Sequence, residues 1–252
     1  MDEHRLVAPP VRAVATTERT DVVVVLPTYN EAGNVARMVS AIRANGYGVL
    51  VVDDRSPDGT GTIADGLADR DRMVSVLHRR EKQGLGPAYA AGFTRAMQSG
   101  AAILCEIDAD FSHDPADLPR LVAAIEDGAD LAIGSRYVEG GGSEGWPWHR
   151  RLISRGGNLY ARTMLRVPVG DLTGGYRAFR AESLRTLHPE NCEASGYGFQ
   201  VEMAWRAHRA GMDVREVPIV FRDREIGTSK MSSAIAVEAM WLVTKWGLGL
   251  SS

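Results

Sequence analysis

Two acidic pairs are spaced for chemistry. Residues 103–115 read ILCEIDADFSHDP, an apolar run that closes on Asp108 and Asp110. Such a run predicts a buried strand, and residues two apart on a strand point to one face. Two carboxylates held roughly 6–7 Å apart repel by about 2–3 kcal/mol at an effective dielectric near 20. A divalent cation would offset that cost. Mg2+ or Mn2+ suits hard oxygen ligands, commonly one or two carboxylates plus substrate phosphates. Asp and Ser also favour turns and caps, so the spacing alone leaves a plain turn open. Asp53-Asp54, at the end of a second apolar run, poses the same choice. Asp58-Gly59-Thr60 behind it is good turn and cap chemistry, while a carboxylate at a strand end can accept from base N–H or ribose hydroxyl groups.

The cationic segments complement these acids. Residues 148–166 hold Arg150, Arg151, Arg155, Arg162 and Arg166 without one acid, and they follow a Gly-rich stretch carrying Trp146. Arginines beside Trp146 and Trp148 suit a membrane interface and lipid phosphates; a solvated helix face is the alternative. Arg222, Arg224 and Lys230 flank Gly227-Thr228-Ser229, either a cationic loop over phosphates or an ordinary surface loop. His78, His113, His149, His188 and His208 lack zinc spacing, and no Ser–His–Asp or Cys–His arrangement can be read. Cys105 and Cys192 are two cysteines only, which argues against a disulfide framework. A net charge of −3 gives no case for nucleic acid. The first twenty residues hold no continuous apolar signal core, and no window holds the roughly 18 uncharged apolar residues that a membrane span needs.

Elements of alternating type must position these groups. Short apolar strands are expected at 22–27, 49–52, 73–77, 101–107, 131–133 and 214–221. Helices are expected after Asn30 as cap, after Thr60 as cap, and over 87–99, 114–127, 148–166 and 199–210. Residues 1–20 read as a mobile tail and 170–180 as a Gly-containing turn region. Alternation of this kind argues for an α/β protein with a mostly parallel sheet covered on both faces. Ligands of such sheets bind beyond the carboxyl ends of the strands. The ends at Pro27-Thr28-Tyr29-Asn30-Glu31, Asp53-Asp54 and Asp108-Ala109-Asp110 therefore share one rim. The first strand leads into no G-x-G-x-x-G, and no G-x-x-x-x-G-K-[ST] occurs anywhere, so a Rossmann dinucleotide site and a P-loop are unsupported.

Taken in order, the motifs LPTYNEAGNV (26–35), VVDDRSPDGT (51–60), GLGPAYAAGF (84–93), DADFSHDP (108–115), GSRYVEGG (134–141), WHRRLISRGGN (148–158), DLTGGYRAFR (171–180), GYGFQVEM (196–203) and VPIVFRDREIGTSKM (217–231) resemble the family 2 glycosyltransferases of the GT-A (Rossmann-like) fold. They are most similar to the polyprenol-phosphate (dolichol-phosphate) mannose synthases. The resemblance implies transfer of mannose from GDP-mannose to a polyprenyl phosphate with inversion, at the cytosolic face of a membrane. It implies that Pro27, Tyr29, Glu31 and Asp53 or Asp54 hold the nucleotide. Asp108 and Asp110 would hold Mg2+ or Mn2+ and the donor diphosphate, lined by Ala109, with Ser112 beside them where some relatives carry Gln. Arg136, Arg150 and Ser154 would bind the acceptor phosphate. Arg224 and Lys230 would close over the diphosphate, and Gln200 and Glu202 would line the sugar. Another sugar nucleotide, such as UDP-glucose, is the alternative donor. A nucleotidyltransferase would want a G-x-G-T-R-type opening where this chain has PTYNE.

Residues 21–231 are thus expected to form the transferase domain. In 232–252, Glu238 and Lys245 lie seven apart on one stripe, with Val237, Met240, Trp241, Val243 and Trp246 around the rest. That suits an interfacial helix, one docked on a separate integral membrane protein, or a core helix capping the domain.

Overall fold

The computed structural model describes residues 17–194, 196, 198–223 and 233–250. The chain runs β1 (Arg19–Thr28), α1 (Val35–Arg43), β2 (Tyr47–Asp53), α2 (Thr60–Ala68), β3 (Val74–His78), α3 (Leu85–Gln98), β4 (Ile103–Glu106), α4 (Leu118–Glu126), β5 (Leu131–Ser135) and β6 (Gly142–Ser143). It continues with α5 (Trp148–Leu165), β7 (Arg177–Arg180), α6 (Ala181–Leu187), α7 (Gly198–Arg209), β8 (Val214–Pro218), β9 (Val220–Phe221) and α8 (Ser233–Gly247). Seven strands form one sheet in the order β3-β2-β1-β4-β7-β5-β8, and β6 pairs with β9 alone.

The sheet is mostly parallel, as the alternation of elements implies. β7 is the exception: it pairs antiparallel with both β4 and β5. It lies inside the segment expected to be a turn region. Its sequence, Arg-Ala-Phe-Arg, hides a strand because Arg177 is fully buried where an apolar residue would normally mark the core.

Alternate β1 residues serve the two faces. Val22, Val24 and Leu26 join α1, α2 and α4 in one core, and Val25 joins α3, α5 and α7 in the other. Gly92 lets α3 lie close to the sheet, since a Cβ there would stand 2.4 Å from Val25 Cγ1. α8 closes the second core against α5 and α7. Leu242, Val243 and Trp246 are buried, and Trp246 stacks on Trp205 at 5.3 Å. Its other side exposes Val237, Met240 and Trp241. The capping and interfacial readings of this segment therefore describe opposite faces of one helix.

Boundaries differ from expectation at several points: Gly59, not Thr60, stands at the cap of α2, and the strand expected at 214–221 divides into β8 and β9 in separate sheets. β1 begins at Arg19, inside the stretch read as a tail, because the Arg19 amide donates to Gly46 O and its guanidinium bridges Asp21 and Glu126. Asn30 caps no helix: it is left-handed, with φ 58°, and its N–H donates to Ser56 Oγ. The helix before Asp127 starts as a 3-10 turn at Pro115–Asp117, where the Asp114 carboxylate accepts from the Ala116 amide.

Candidate active site

One side of the rim is built from two loops tied together. The Glu31 amide donates to Thr60 Oγ1 at 2.9 Å and the Ala32 amide to Asp58 Oδ2 at 3.0 Å. Glu31 Oε2 accepts from Asn34. Pro27 sits half-buried near the end of β1, in register with Val52. Lys82 Nζ stands 4.0 Å over the Tyr29 ring. Asp53 is buried and takes its hydrogen bonds from neutral groups: Thr28 Oγ1 at 3.3 Å, Ser56 Oγ at 2.6 Å and the Ser56 amide at 3.2 Å. Gly61 on α2 keeps room for it, since a Cβ there would meet Asp53 Oδ2 at 2.9 Å. Asp54 differs. Burial pushes its carboxyl above the ordinary range against the pull of Arg79, whose Nη1 lies 2.6 Å away.

The Asp108/Asp110 pair is not set by strand pleat. β4 ends at Glu106, and the two acids occupy the turn beyond it. Asp110 accepts from the Ser112 amide at 3.0 Å, an Asx-type turn that tolerates left-handed Phe111 (φ 60°). Asp108 Oδ1 meets Tyr89 Oη at 3.4 Å, and Ala109 and Ser112 are buried. Both the turn reading and the ligand reading of these acids are therefore compatible with the geometry.

Beneath Asp108 lies a buried floor. Arg177 donates from Nε to Gly174 O, from Nη1 to Gln200 O and from Nη2 to Leu172 O, at 2.8–2.9 Å. Its Nε is 3.5 Å from Glu106 Oε1, and neither side chain is exposed. Burial pushes the Glu106 carboxyl up to about 8, although Arg177 and the neighbouring Gln200 pull it down. Gln200 is buried beside Gly175: a Cβ added there would stand 3.6 Å from its Nε2 and 3.9 Å from Asp108 Oδ2. Glu202 faces elsewhere. Its carboxylate accepts from the amides of Glu193 and Ala194 and from Arg206 at 2.6 Å, so it holds residues 193–194 onto α7.

The opposite side of the rim gathers at the end of β5. Arg136 forms a fork with Asp171, Nε to Oδ2 and Nη2 to Oδ1, both at 2.7 Å. The Arg136 amide also donates to Asp171 Oδ2, and Nη2 to Thr173 Oγ1 at 2.8 Å. Burial works to raise the Asp171 pKa, but the bonds and charge of Arg136 outweigh it and hold the group below the ordinary range. Trp146, buried against Phe221, lies under both Arg136 (5.4 Å) and Arg150 (4.2 Å). Arg150 pairs with Asp223, and Ser154 Oγ accepts from Tyr137 Oη at 2.7 Å. Trp148 points away and is 76 % exposed. Arg224 and Lys230 lie outside the described residues.

Sequence reasoning did not single out Asp171, Asn158, Trp146 as an arginine platform, or the Glu106–Arg177 floor. The signal for Asp171 was faint but present: it is a lone acid in a Thr-Gly-Gly turn, within reach of an arginine-rich helix.

Among the described residues no three His, Cys, Asp or Glu side chains converge as a complete metal cage. Asp108 and Asp110 nonetheless fit a hard divalent ion that keeps positions for phosphate oxygens, because such ions need only one or two protein carboxylates. The space that a Gly175 side chain would fill beside Asp108 leaves room for that complex.

A sheet of this order, with acids at the ends of its first, second and fourth strands, is the GT-A scaffold of glycosyltransferases. The chain belongs to glycosyltransferase family 2: the model described as Glycosyl transferase family 2 matches residues 23–187. Among curated relatives it is 48% identical over 239 residues to a polyprenol monophosphomannose synthase of Mycolicibacterium smegmatis, covering 93% of this chain and 89% of that one. It is 49% identical over 229 residues to an undecaprenyl-phosphate mannosyltransferase of Micrococcus luteus, covering 90% and 94%. Among solved structures, the fold is similar to the mannosyltransferase PcManGT from Pyrobaculum calidifontis in complex with GDP-Man and Mn2+, with TM-score 0.55 and 18% identity over 91% of this chain and 72% of that one.

Proposed function

We propose that this enzyme transfers mannose from GDP-mannose to a polyprenyl phosphate, releasing GDP. The observation that carries the reading is the loop 171–175, which touches both halves of the rim. At one end Asp171 grips Arg136, and at the other Gly175 borders Asp108. An anion bound at Arg136 is thereby set beside the acidic pair. The two relatives named for lipid-phosphate mannosyl transfer support the substrates.

Pro27, Tyr29, Glu31, Asp53 and Asp54 hold the nucleotide, Asp53 accepting from base or ribose donors. Asp108 and Asp110, with Ser112 and Ala109 beside them, would hold Mg2+ or Mn2+, which supplies Lewis-acid stabilisation of the diphosphate oxygens. Gln200 borders the sugar, and Arg224 and Lys230 close over the diphosphate. Arg136, Arg150 and Ser154 orient the acceptor phosphate. A phosphate monoester has a second pKa near about 6, so its oxygen is already anionic near neutrality and needs no protein base. That oxygen attacks the anomeric carbon while the bond to the GDP oxygen breaks, the electron pair leaving on GDP. A single in-line displacement turns the α-linked donor into a β-linked product.

No helix among the described residues is long and apolar enough to cross a membrane. Exposed Trp148, Leu152 and Ile153 beside the α5 arginines suit peripheral contact with a membrane, at its cytosolic face, directly or through an integral membrane protein. A donor-by-acceptor panel with and without EDTA tests the reading. Mannose should pass from GDP-mannose to undecaprenyl phosphate and stop with chelator. Preference for UDP-glucose would replace the donor, and transfer that survives both chelator and Asp110→Ala would remove the metal.

A further inference from the structure

Arg136 is held more completely than a surface ligand for phosphate needs to be. Its side chain is 9 % exposed and Asp171 is 0 % exposed. Asp171 is itself held. Glu216 on β8 accepts from the amides of Gly170 (2.7 Å) and Asp171 (3.0 Å), which pins the start of the loop to the sheet. Asn158 on α5 pins its middle. Asn158 Oδ1 accepts from the Leu172 amide at 2.8 Å, and its Nδ2 donates to Thr173 Oγ1 at 3.0 Å. Thr173 Oγ1 in turn accepts from Arg136 and donates to Asp171 Oδ1 at 3.3 Å. α5 carries Ser154, one helical turn before Asn158, and Asn158 Nδ2 also bonds Ser154 O. α5 and β8 thus both hold the loop that grips the Arg136 guanidinium.

We infer that Asp171 is a positioning residue for the acceptor: it aims Arg136 at the phosphate, while Asn158, Thr173 and Glu216 lock its loop to α5 and β8. This rests on the reading of Arg136 as an acceptor ligand. A role as proton acceptor fits the geometry poorly. Both Asp171 oxygens receive hydrogen bonds from Arg136, and the group has no exposed surface. A fork of this kind fixes the plane of the guanidinium, so the group meets a phosphate in one orientation. Ser154 and Arg136 then act on that phosphate from a single rigid brace rather than from two independent elements.

The test is a kinetic double-mutant cycle of Asp171→Asn and Arg136→Gln in the full chain, with farnesyl phosphate as soluble acceptor. Asp171→Asn should raise the acceptor KM roughly tenfold and leave the donor KM within about twofold, as loss of a charge-assisted fork predicts. In the Arg136→Gln background it should add nothing, because residues acting through one contact are non-additive. Additive losses would overturn the inference. So would a kcat loss at unchanged acceptor KM with the acid limb of the pH profile abolished, which would make Asp171 a base. If Asp171→Asn does not fold, Thr173→Val removes one bond to Arg136. It should raise acceptor KM about threefold in the native background and not in Arg136→Gln; no rise overturns the inference. Calorimetric binding of farnesyl phosphate separates the two readings. An Arg136→Gln protein that binds it normally would end the acceptor assignment itself, whereas weak binding there with normal binding in Asp171→Asn would end only the positioning role.

Discussion

Asp53 and Arg136 both close strands at the same rim, but they are held by opposite means. Asp53 receives a threonine hydroxyl, a serine hydroxyl and an amide, all neutral donors. Arg136 receives a full counter-charge from Asp171. Neutral donors fix a carboxylate while leaving its charge to act on a ligand. A buried ion pair fixes geometry while cancelling much of the charge. The Asp53 side thus suits electrostatic recognition of N–H groups and a cation, as the proposed donor requires. The Arg136 side suits orientation, which is what the proposed, already anionic nucleophile requires.

The largest test of this contrast is Asp110→Asn, which keeps shape and removes charge on the donor side. Transfer from GDP-mannose should fall at least about 10³-fold, with the melting temperature unchanged; retention of even a tenth of the activity would mean that shape, not charge, matters there. The seam between the sides carries His113, buried between Tyr176 and Phe221. Burial lowers its pKa from 6.5 to about 4, against the pull of Asp110. The unfolded chain therefore takes up this proton first as pH falls. His113 contributes nothing to pH dependence above about 6.5 and costs stability between 6.5 and 4, up to about 3 kcal/mol. Denaturant titrations should record that slope, and His113→Asn should flatten it.

On the acceptor side, Arg136→Lys keeps charge and loses the fork. It should lower kcat/KM for the acceptor roughly 50-fold, with the donor KM steady. An effect below threefold would show that charge suffices and would erase the contrast. The smallest test compares neighbours. Asp53→Asn should raise the donor KM about tenfold without loss of stability. Asp54→Asn removes the partner of half-buried Arg79, so it should cost about 1–2 kcal/mol in urea unfolding and move the donor KM less. Equal effects from both would mean that the two acids share one role.

How far the site could be read in advance follows the same division. The donor acids sit at the ends of strands whose apolar runs are plain, so β1, β2 and β4 announced their rim. The acceptor brace did not announce itself. Arg177 and Glu106 are fully buried charges, and charge normally signals surface. Asp171 and Asn158 resemble turn residues, and the bonds that build the brace reach partners 35 and 14 or 15 positions away. Such pairings arise from the insertion of β7 between β4 and β5, a topological fact that local pattern does not encode. Glu202 misled for the converse reason: Gln200 lies beside Gly175, and two residues further along the helix, about 200° around it, the side chain faces elsewhere.

That inserted strand also constrains how this scaffold can vary. β7 is four residues long, and Arg177 stands opposite both Glu106 and Ile133. Side chains alternate along it, so a single deletion between Gly175 and Arg177 would turn the guanidinium into the aliphatic core on the other face. It would also draw the loop back by about 3.3 Å, one residue's rise. The stretch from Asp171 to Arg177 is accordingly measured to length. Descendants of this chain can exchange residues within it, but a change in its residue count would displace both Asp171 and Arg177 in one event.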